Sequence, residues 1–340
     1  MAAALSTFIK EVAMKRVLVI ALAVLLIAAS LGFSEGKKET KKQLTFAYMS
    51  GILDPFMVMI EKGAKAKADE LGVKLLTAEY PKKWGAEIQV PILEAMAAKG
   101  GFDFLLVVPT GQTALIAPLK KIHDKGIPMI TCDTYLGDGD YSKASEYSFP
   151  LAYIGSDNEG GGYEVGKKLC QMIGGKGKVY LNTTNPDVSS VAGRKAGFEK
   201  ALKEFPGVTL VGFDYNLDNQ EKAQQQTAAV LQAHPDLKGV FGTNLFSAQG
   251  AYRAVVAAGL TGAVKVASWD AGMDQIQALE RGEIDFTLAQ KPYEIGQLAV
   301  EWGYKYLTQN ATVPKVIRPG FFIITKDNLK TPEAQASIYK

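Results

Sequence analysis

The sequence predicts an α/β protein of two lobes, each built on a parallel β-sheet, and three observations lead there. Short β-rich runs alternate with segments of helical spacing through most of the chain. The alternation runs twice, from Leu44 to about Gly155 and from about Ser156 to Gln290. Both halves place a helix after a first strand and leave polar residues at strand ends. Strands that alternate with helices form βαβ units, which cover both faces of a parallel sheet.

The first half opens on "LTFAYM", Leu44 to Met49, a strand-like run. Asp54-Pro55 then supplies an N-cap followed by proline at the first helical position, and Phe56, Met59, Ile60 and Gly63 fall on one helical face. Val73 to Thr77 reads as the second strand, with Ile88, Ile92, Ala95 and Met96 marking the next helix. Phe104 to Val108, Met129 to Thr131 and Ala152 to Gly155 complete the strands of this half. In the second half they are Lys178 to Leu181, Thr209 to Phe213, Gly239 to Thr243, Val264 to Ser268 and Thr287 to Ala289. Arg194 is placed at the opening of the helix "GRKAGFEKAL", an unexpected site for a cation given the positive end of the helix dipole. The glycines of "NEGGGYEVG" are read as permitting close packing at a helix start, and "RPGFFIIT" as a late strand that returns to one lobe and makes the lobes discontinuous.

Composition bounds the function. Of 340 residues, 47% are hydrophobic and 21% charged, enough apolar content for two cored domains and too little polarity for disorder. Met14-Lys15-Arg16, the apolar run Val17 to Leu31 and the small residues after it match a secretory signal peptide over residues 1–34, with an upstream extension before Met14 and a lysine-rich linker over 35–43. The run is short for a membrane span of about 20 residues. Removing it lowers the formal charge from +3 to +1, so nothing in the balance points to nucleic acid. Two cysteines, Cys132 and Cys170, do not make a disulfide framework and are expected as buried free thiols.

Ligands of open parallel sheets bind beyond the carboxyl ends of the strands. Those ends carry Ser50, Asp54 and Phe56; Asp133, Thr134 and Tyr135; Asn244; Trp269 and Asp270; and Gln290, with Arg194 from the following helix. Carboxylates, amides and a guanidinium can each engage two neighbouring hydroxyls. Phe and Trp offer a flat apolar face to the C–H side of a ring. Together they suit a sugar, with Asp54 accepting from hydroxyls while Phe56 covers the ring. Each also has a plainer reading: Asp54 as an N-cap, Phe56 as core, Asp133 as a turn residue and Gln290 as a partner of loop backbone.

From Leu44 to about Thr325 the chain resembles the type I periplasmic sugar-binding proteins of ABC importers, nearest their ribose-binding branch. The resemblance is carried by "DPFMVMIEKGAKAKADELG", "KGIPMITCDT", "IGSDNEGGGYEVGKKL", "RKAGFEKAL", "HPDLKGVFGTN", "VKVASWDAG" and "FTLAQKPYEIGQLAV" in this order. It implies two Rossmann-like lobes joined by a three-segment hinge, with crossings near Ser156-Asp157, Gln290-Lys291 and Pro319-Gly320. The lobes would comprise residues 44–155 plus 291–319 and residues 156–290 plus 320–340. Ligand contacts would fall on Ser50, Asp54, Phe56 and Asp133 in the first lobe, with Thr134 beside them, and on Arg194, Asn244, Trp269, Asp270 and Gln290 in the second. The chain departs from the ribose pattern at Asp54 (usually Asn), Met57 (a second Phe), Thr134 (Arg), Leu217 (near a Phe) and Leu245 (an acidic residue), so ribose specificity is not inherited. Trp84 is a candidate replacement ring.

The function implied is capture of a monosaccharide and its delivery to an ABC transporter permease, by a periplasmic or otherwise extracytoplasmic monomer that needs no cofactor and no metal. A sensor serving a chemoreceptor or kinase would use the same residues. An enzyme is disfavoured because only His123 and His234 are available and no nucleophile elbow or metal spacing occurs. A repressor of similar build would need a helix-turn-helix where the leader stands.

Overall fold

The computed structural model describes Gln43–Lys340 and, ahead of them, residues 8, 10, 11 and 13–15, which are helical. The leader and linker expected over residues 1–43 otherwise lie outside the described residues. From Gln43 onward the chain forms two six-stranded sheets. The first is built from β1 (Thr45–Met49), β2 (Lys74–Thr77), β3 (Phe104–Val107), β4 (Met129–Cys132), β5 (Ala152–Ile154) and β11 (Val316–Ile317). The second holds β6 (Lys176–Thr183), β7 (Gly207–Tyr215), β8 (Leu237–Gly242), β9 (Lys265–Trp269), β10 (Phe286–Ala289) and β12 (Phe322–Thr325).

The helices alternate with these strands as the spacing predicts: α1 (Pro55–Leu71), α2 (Ala86–Lys99) and α3 (Ile116–His123) in the first half. The second half has α4 (Asn158–Met172), α5 (Ser189–Leu202), α6 (Gln220–Ala233), α7 (Leu245–Ala257) and α8 (Met273–Arg281). Then come α9 (Pro292–Gln309), which packs on α1 and the first sheet, and α10 (Pro332–Ala336). The order β2-β1-β3-β4-β5 in one sheet and β7-β6-β8-β9-β10 in the other is the same winding used twice. Each order reverses direction beside its first strand, so each sheet has a switch point where side chains can reach a ligand.

The chain passes between the sheets three times: after β5, after β10 and between β11 and β12. β11 had no counterpart among the predicted strands, being only two residues long. β12 does return to the second sheet, but it pairs antiparallel with β10. The reason is directional: β10 runs toward the crossing, and a chain coming back at that end can only run away from it. Among the described residues all other ladders named here are parallel.

Burial follows the pattern of parallel sheets covered on both faces, with β1, β3, β4, β5, β9 and β10 almost wholly buried. Phe46 and Phe104 stack at 4.9 Å under the first sheet's helices, and Phe241 lies 5.3 Å from Phe198 and 6.3 Å from Trp269 in the second. Cys132 on β4 and Cys170 on α4 are buried free thiols.

One expected position changes. α5 begins at Ser189, so Arg194 sits in its second turn and not at its opening. The dipole argument against a cation therefore does not bear on it, because that field falls off within the first turn. The glycines of "NEGGGYEVG" do allow a close approach: a Cβ at Gly162 would lie 2.1 Å from the carbonyl oxygen of Arg194, and one at Gly161 would lie 2.6 Å from the Trp269 ring. α4 thus fixes how closely α5 packs beside it, and so where Arg194 sits. Gly162→Ala is expected to cost about 1–3 kcal/mol, as overpacking does, and to lower Tm by roughly 2–10 °C, read by calorimetry. An unchanged Tm would mean that α5 is free to shift.

Candidate functional site

Both sheets turn their strand carboxyl ends toward one shared space. From the first half come Ile52, Asp54, Phe56 and Met57 at the β1–α1 turn, Trp84 on the loop after β2, and Asp133 after β4. From the second come Thr184 after β6, Val188, Ser190, Val191 and Arg194 of the α5 region, Asp218 after β7, Asn244 and Leu245 after β8, Asp270 after β9 and Gln290 after β10. The halves also meet at the rim, where the Tyr135 amide donates to Ser189 Oγ at 3.1 Å. A second groove lies outside, between α1, α9 and β12, with Lys67, Lys291, Glu294 and Glu301 among its lining residues.

Arg194 is 3% exposed, and its surroundings explain how a guanidinium can lie there. Nε donates to Asn158 Oδ1 at 2.9 Å, Nη1 donates to the Thr243 carbonyl at 2.9 Å, and the group lies 4.4 Å from the centre of the Trp269 ring. Nη2 stands 3.9 Å from Asp133 Oδ1, a carboxylate oxygen carried by the opposite sheet. That oxygen is buried without a hydrogen-bond partner, as are Trp84 Nε1 and Thr184 Oγ1. A buried polar atom left unpaired costs about 1–3 kcal/mol.

Two of the candidate residues are helix caps that also border the cavity. Asp54 Oδ1 accepts from the Met57 amide at 2.8 Å, and Asn244 Oδ1 accepts from Ser247 at 3.0 Å, while both residues line the cavity. Asn244 Nδ2 also donates to Asp218 Oδ1 at 2.6 Å. Asp270 Oδ1 accepts from Gln290 Nε2 at 2.8 Å and from the Tyr339 hydroxyl at 3.1 Å. Asp133, Asp218 and Asp270 all have left-handed backbones, with φ of 60°, 55° and 74°. Aspartate tolerates that region better than most residues, and such strain gathers at functional sites.

Four carboxylates therefore share the cavity with one guanidinium among the described lining residues. Burial pushes the Asp54 carboxyl up to about 8, with the Met57 amide opposing and the charges of Asp270, Asp218 and Asp133 adding to the rise. Burial likewise raises Asp133 to about 7 against the pull of Arg194, and Asp218 to about 6 against Asn244 and Arg194. Asp270 is raised too, by burial, against Arg194, Gln290, Tyr339 and the Leu245 amide.

Of the residues expected from the sequence, Asp54, Phe56, Met57, Trp84, Asp133, Arg194, Asn244, Asp270 and Gln290 line the space. Ser50, Thr134, Trp269 and Leu217 do not. Ser50 turns its hydroxyl to the Ile52 carbonyl at 2.8 Å, and Thr134 donates to the Pro109 carbonyl at 2.6 Å. Trp269 ends β9 instead of following it; it is fully buried and supports Arg194 from below. Leu217 is 58% exposed, and its neighbour Asp218 enters the cavity in its place. Asp218 and Thr184 were not anticipated, although both follow strand ends and the same rule could have found them. Leu245, noted only as a departure, lines the space as an apolar wall.

A family model for the periplasmic binding protein domain matches residues 48–311. The chain is 28% identical over 289 residues to a ribose import binding protein of Haemophilus influenzae, covering 85% of this chain and 94% of that one. It is 31% identical over 276 residues to a D-ribose/D-allose-binding protein of Pseudomonas aeruginosa, covering 80% and 83%. Among solved structures, an ABC transporter solute-binding protein from Agrobacterium vitis bound with α-D-tagatopyranose superposes with a TM-score of 0.85 at 39% identity, covering 88% of this chain and all of that one.

The raised carboxyls carry a sign. Between pH 4 and 8 the folded form holds more protons than unfolded chains in which Asp54 titrates at its ordinary 3.8, so its stability falls as pH rises through that window. Asn keeps the cap and removes the charge. Asp54→Asn is therefore expected to raise the Tm of the ligand-free protein at pH 8, by roughly 2–4 °C for each kcal/mol relieved. The difference should shrink as the pH falls and vanish below the ordinary carboxyl value of 3.8. A variant that melts below the wild type at pH 8 would refute a buried charge at this position.

Proposed function

The chain belongs to the periplasmic binding protein domain family, and from that premise we propose that it captures a monosaccharide between its two lobes and hands it to the permease of an ABC importer. The observation that carries this reading is the space shared by strand ends of two separate sheets, where paired acceptors, one guanidinium and the Phe56 and Trp84 rings converge. Sugars named for the relatives, ribose, allose and tagatose, are uncharged polyols, whose hydroxyls suit a site that offers both acceptors and donors. The lobes are taken as residues 44–155 plus 291–319 and residues 156–290 plus 320–340.

The ligand works by differential affinity. Open and closed arrangements differ by rotation about the three crossings, and a molecule touching both lobes favours the closed one. In the closed cavity Asp54, Asp133, Asp218 and Asp270 accept hydroxyl protons, Arg194 donates to ring or hydroxyl oxygens, and Phe56 and Trp84 cover apolar C–H surface. No bond need be made or broken, so the protein acts without catalysis. Among the described residues no helix is long and apolar enough to cross a membrane; an exported, extracytoplasmic protein is the setting this function requires.

The charge excess also selects. Four carboxyls face one guanidinium, and those that ionise repel an anion, so sugar phosphates and uronic acids are disfavoured while neutral pentoses and hexoses enter. A thermal-shift screen tests both halves of the statement. At a thousandfold excess over Kd the right sugar stabilises by about 4 kcal/mol, raising Tm by roughly 8–16 °C, and Arg194→Ala abolishes the shift. A panel of pentoses, hexoses and ketohexoses that moves nothing, or a sugar acid that moves most, would overturn the reading.

A further inference from the structure

Tyr339 lies outside the ligand cavity, yet its contacts converge on it. Its side chain is 3% exposed, and its amide donates to the Ala271 carbonyl at 3.0 Å, seating residues 338–340 beside the β9–α8 turn. The hydroxyl accepts from the Gln290 amide at 2.9 Å and donates to Asp270 Oδ1 at 3.1 Å. The ring meets Phe56 edge-on, with centroids 5.8 Å apart. Phe56 belongs to α1 and the first sheet's side, whereas Asp270 and Gln290 end strands of the second. The next residue makes a further tie: Lys62 Nζ, also on α1, donates to the Lys340 carbonyl at 2.5 Å.

We propose that residues 338–340 form an interlobe latch in which Tyr339 is a positioning residue, orienting the ligand-facing Asp270 and Gln290 while its ring and Lys340 hold α1 in the closed position. The latch rests on the sugar-capture reading for the role of Asp270, but its hold on α1 exists without any ligand. One side chain thereby joins three parts that must agree when the cleft shuts: a carboxylate of the second lobe, the second hinge crossing and an aromatic wall of the first lobe. With Oδ1 occupied by two donors, the Asp270 carboxylate cannot swing away from the cavity. The groups facing it are Arg194 from α5, Asp54 from α1, Asp133 from the end of β4, Gln290 and Tyr339. Tyr339 is one of the donors that hold its proton affinity down, so removing the hydroxyl raises it further.

The test uses the full chain. Tyr339→Phe keeps the ring against Phe56 and deletes the hydroxyl. Calorimetric titration with the sugar that shifts Tm most should show an affinity about tenfold weaker, the worth of a hydrogen bond to a charged group. The acid limb of the affinity-against-pH curve should move to higher pH, which lost packing alone would not do. Wild-type affinity and an unmoved acid limb would overturn the positioning role. The hold on α1 is read without ligand, by small-angle scattering at pH 5, where Asp54, Asp133 and Asp218 hold their protons. Lys62→Met and Tyr339→Ala are each expected to enlarge the radius of gyration relative to wild type. Should Tyr339→Ala fail to fold, Lys62→Met, at an exposed position, decides alone. Radii equal to wild type would overturn the latch even if sugar binds, and larger radii would support it even if no sugar in the panel binds.

Discussion

A buried guanidinium is the constraint around which the cleft is organised. Taking Arg194 out of water is costly unless its charge is paired and its N–H groups are used. The protein meets that demand from four directions: the Asn158 side chain, the Thr243 carbonyl, the Trp269 face and, across the cleft, Asp133. The close contact at Gly162 sets the height of the helix that carries it. Asn158 follows the first crossing and also donates to the Tyr153 hydroxyl at 3.4 Å, which in turn donates to the Asp133 carbonyl at 2.9 Å. The cation of one lobe and the anion of the other are thus tied through the hinge as well as through space.

The same economy marks the other crossings. Ser156 donates to Gln290 Oε1 at 2.7 Å, joining the first crossing to the second, and Arg318 reaches Asp157 at 3.0 Å, joining the third to the first. Gln290 uses its carbonyl on the hinge and its amide on Asp270. A change at Asp270 is therefore one hydrogen bond away from the crossings, since the cavity and the crossings share the Gln290 side chain.

The architecture was legible because its signals are repetitive. Alternating apolar runs, Asp54-Pro55 at a helix start and polar residues after each strand recur in both halves, and one rule about strand ends gathered most of the cavity. What escaped depends on distances that no local pattern encodes. Trp269 and Thr134 satisfy the rule and still turn into the core, Trp269 because β9 runs one residue further than its apolar run indicates, Thr134 because its hydroxyl finds the Pro109 carbonyl. Leu217 and Asp218 are adjacent, and only the turn decides which enters. β11 is too short to leave a period, and the antiparallel course of β12 follows from the route of the crossings. Tyr339 lies 49 residues from Gln290 and 69 from Asp270, beyond the reach of any spacing argument.

The left-handed turns at Asp133, Asp218 and Asp270 have a consequence for how such a protein can change its diet over generations. At those three points the backbone admits asparagine or glycine with little strain and most other side chains only at a cost, so mutational drift there is narrow and preserves short polar groups. Asp54, Trp84 and Thr184 sit on backbones of negative φ. New tastes are to be sought along that second set, with the first acting as an inherited frame.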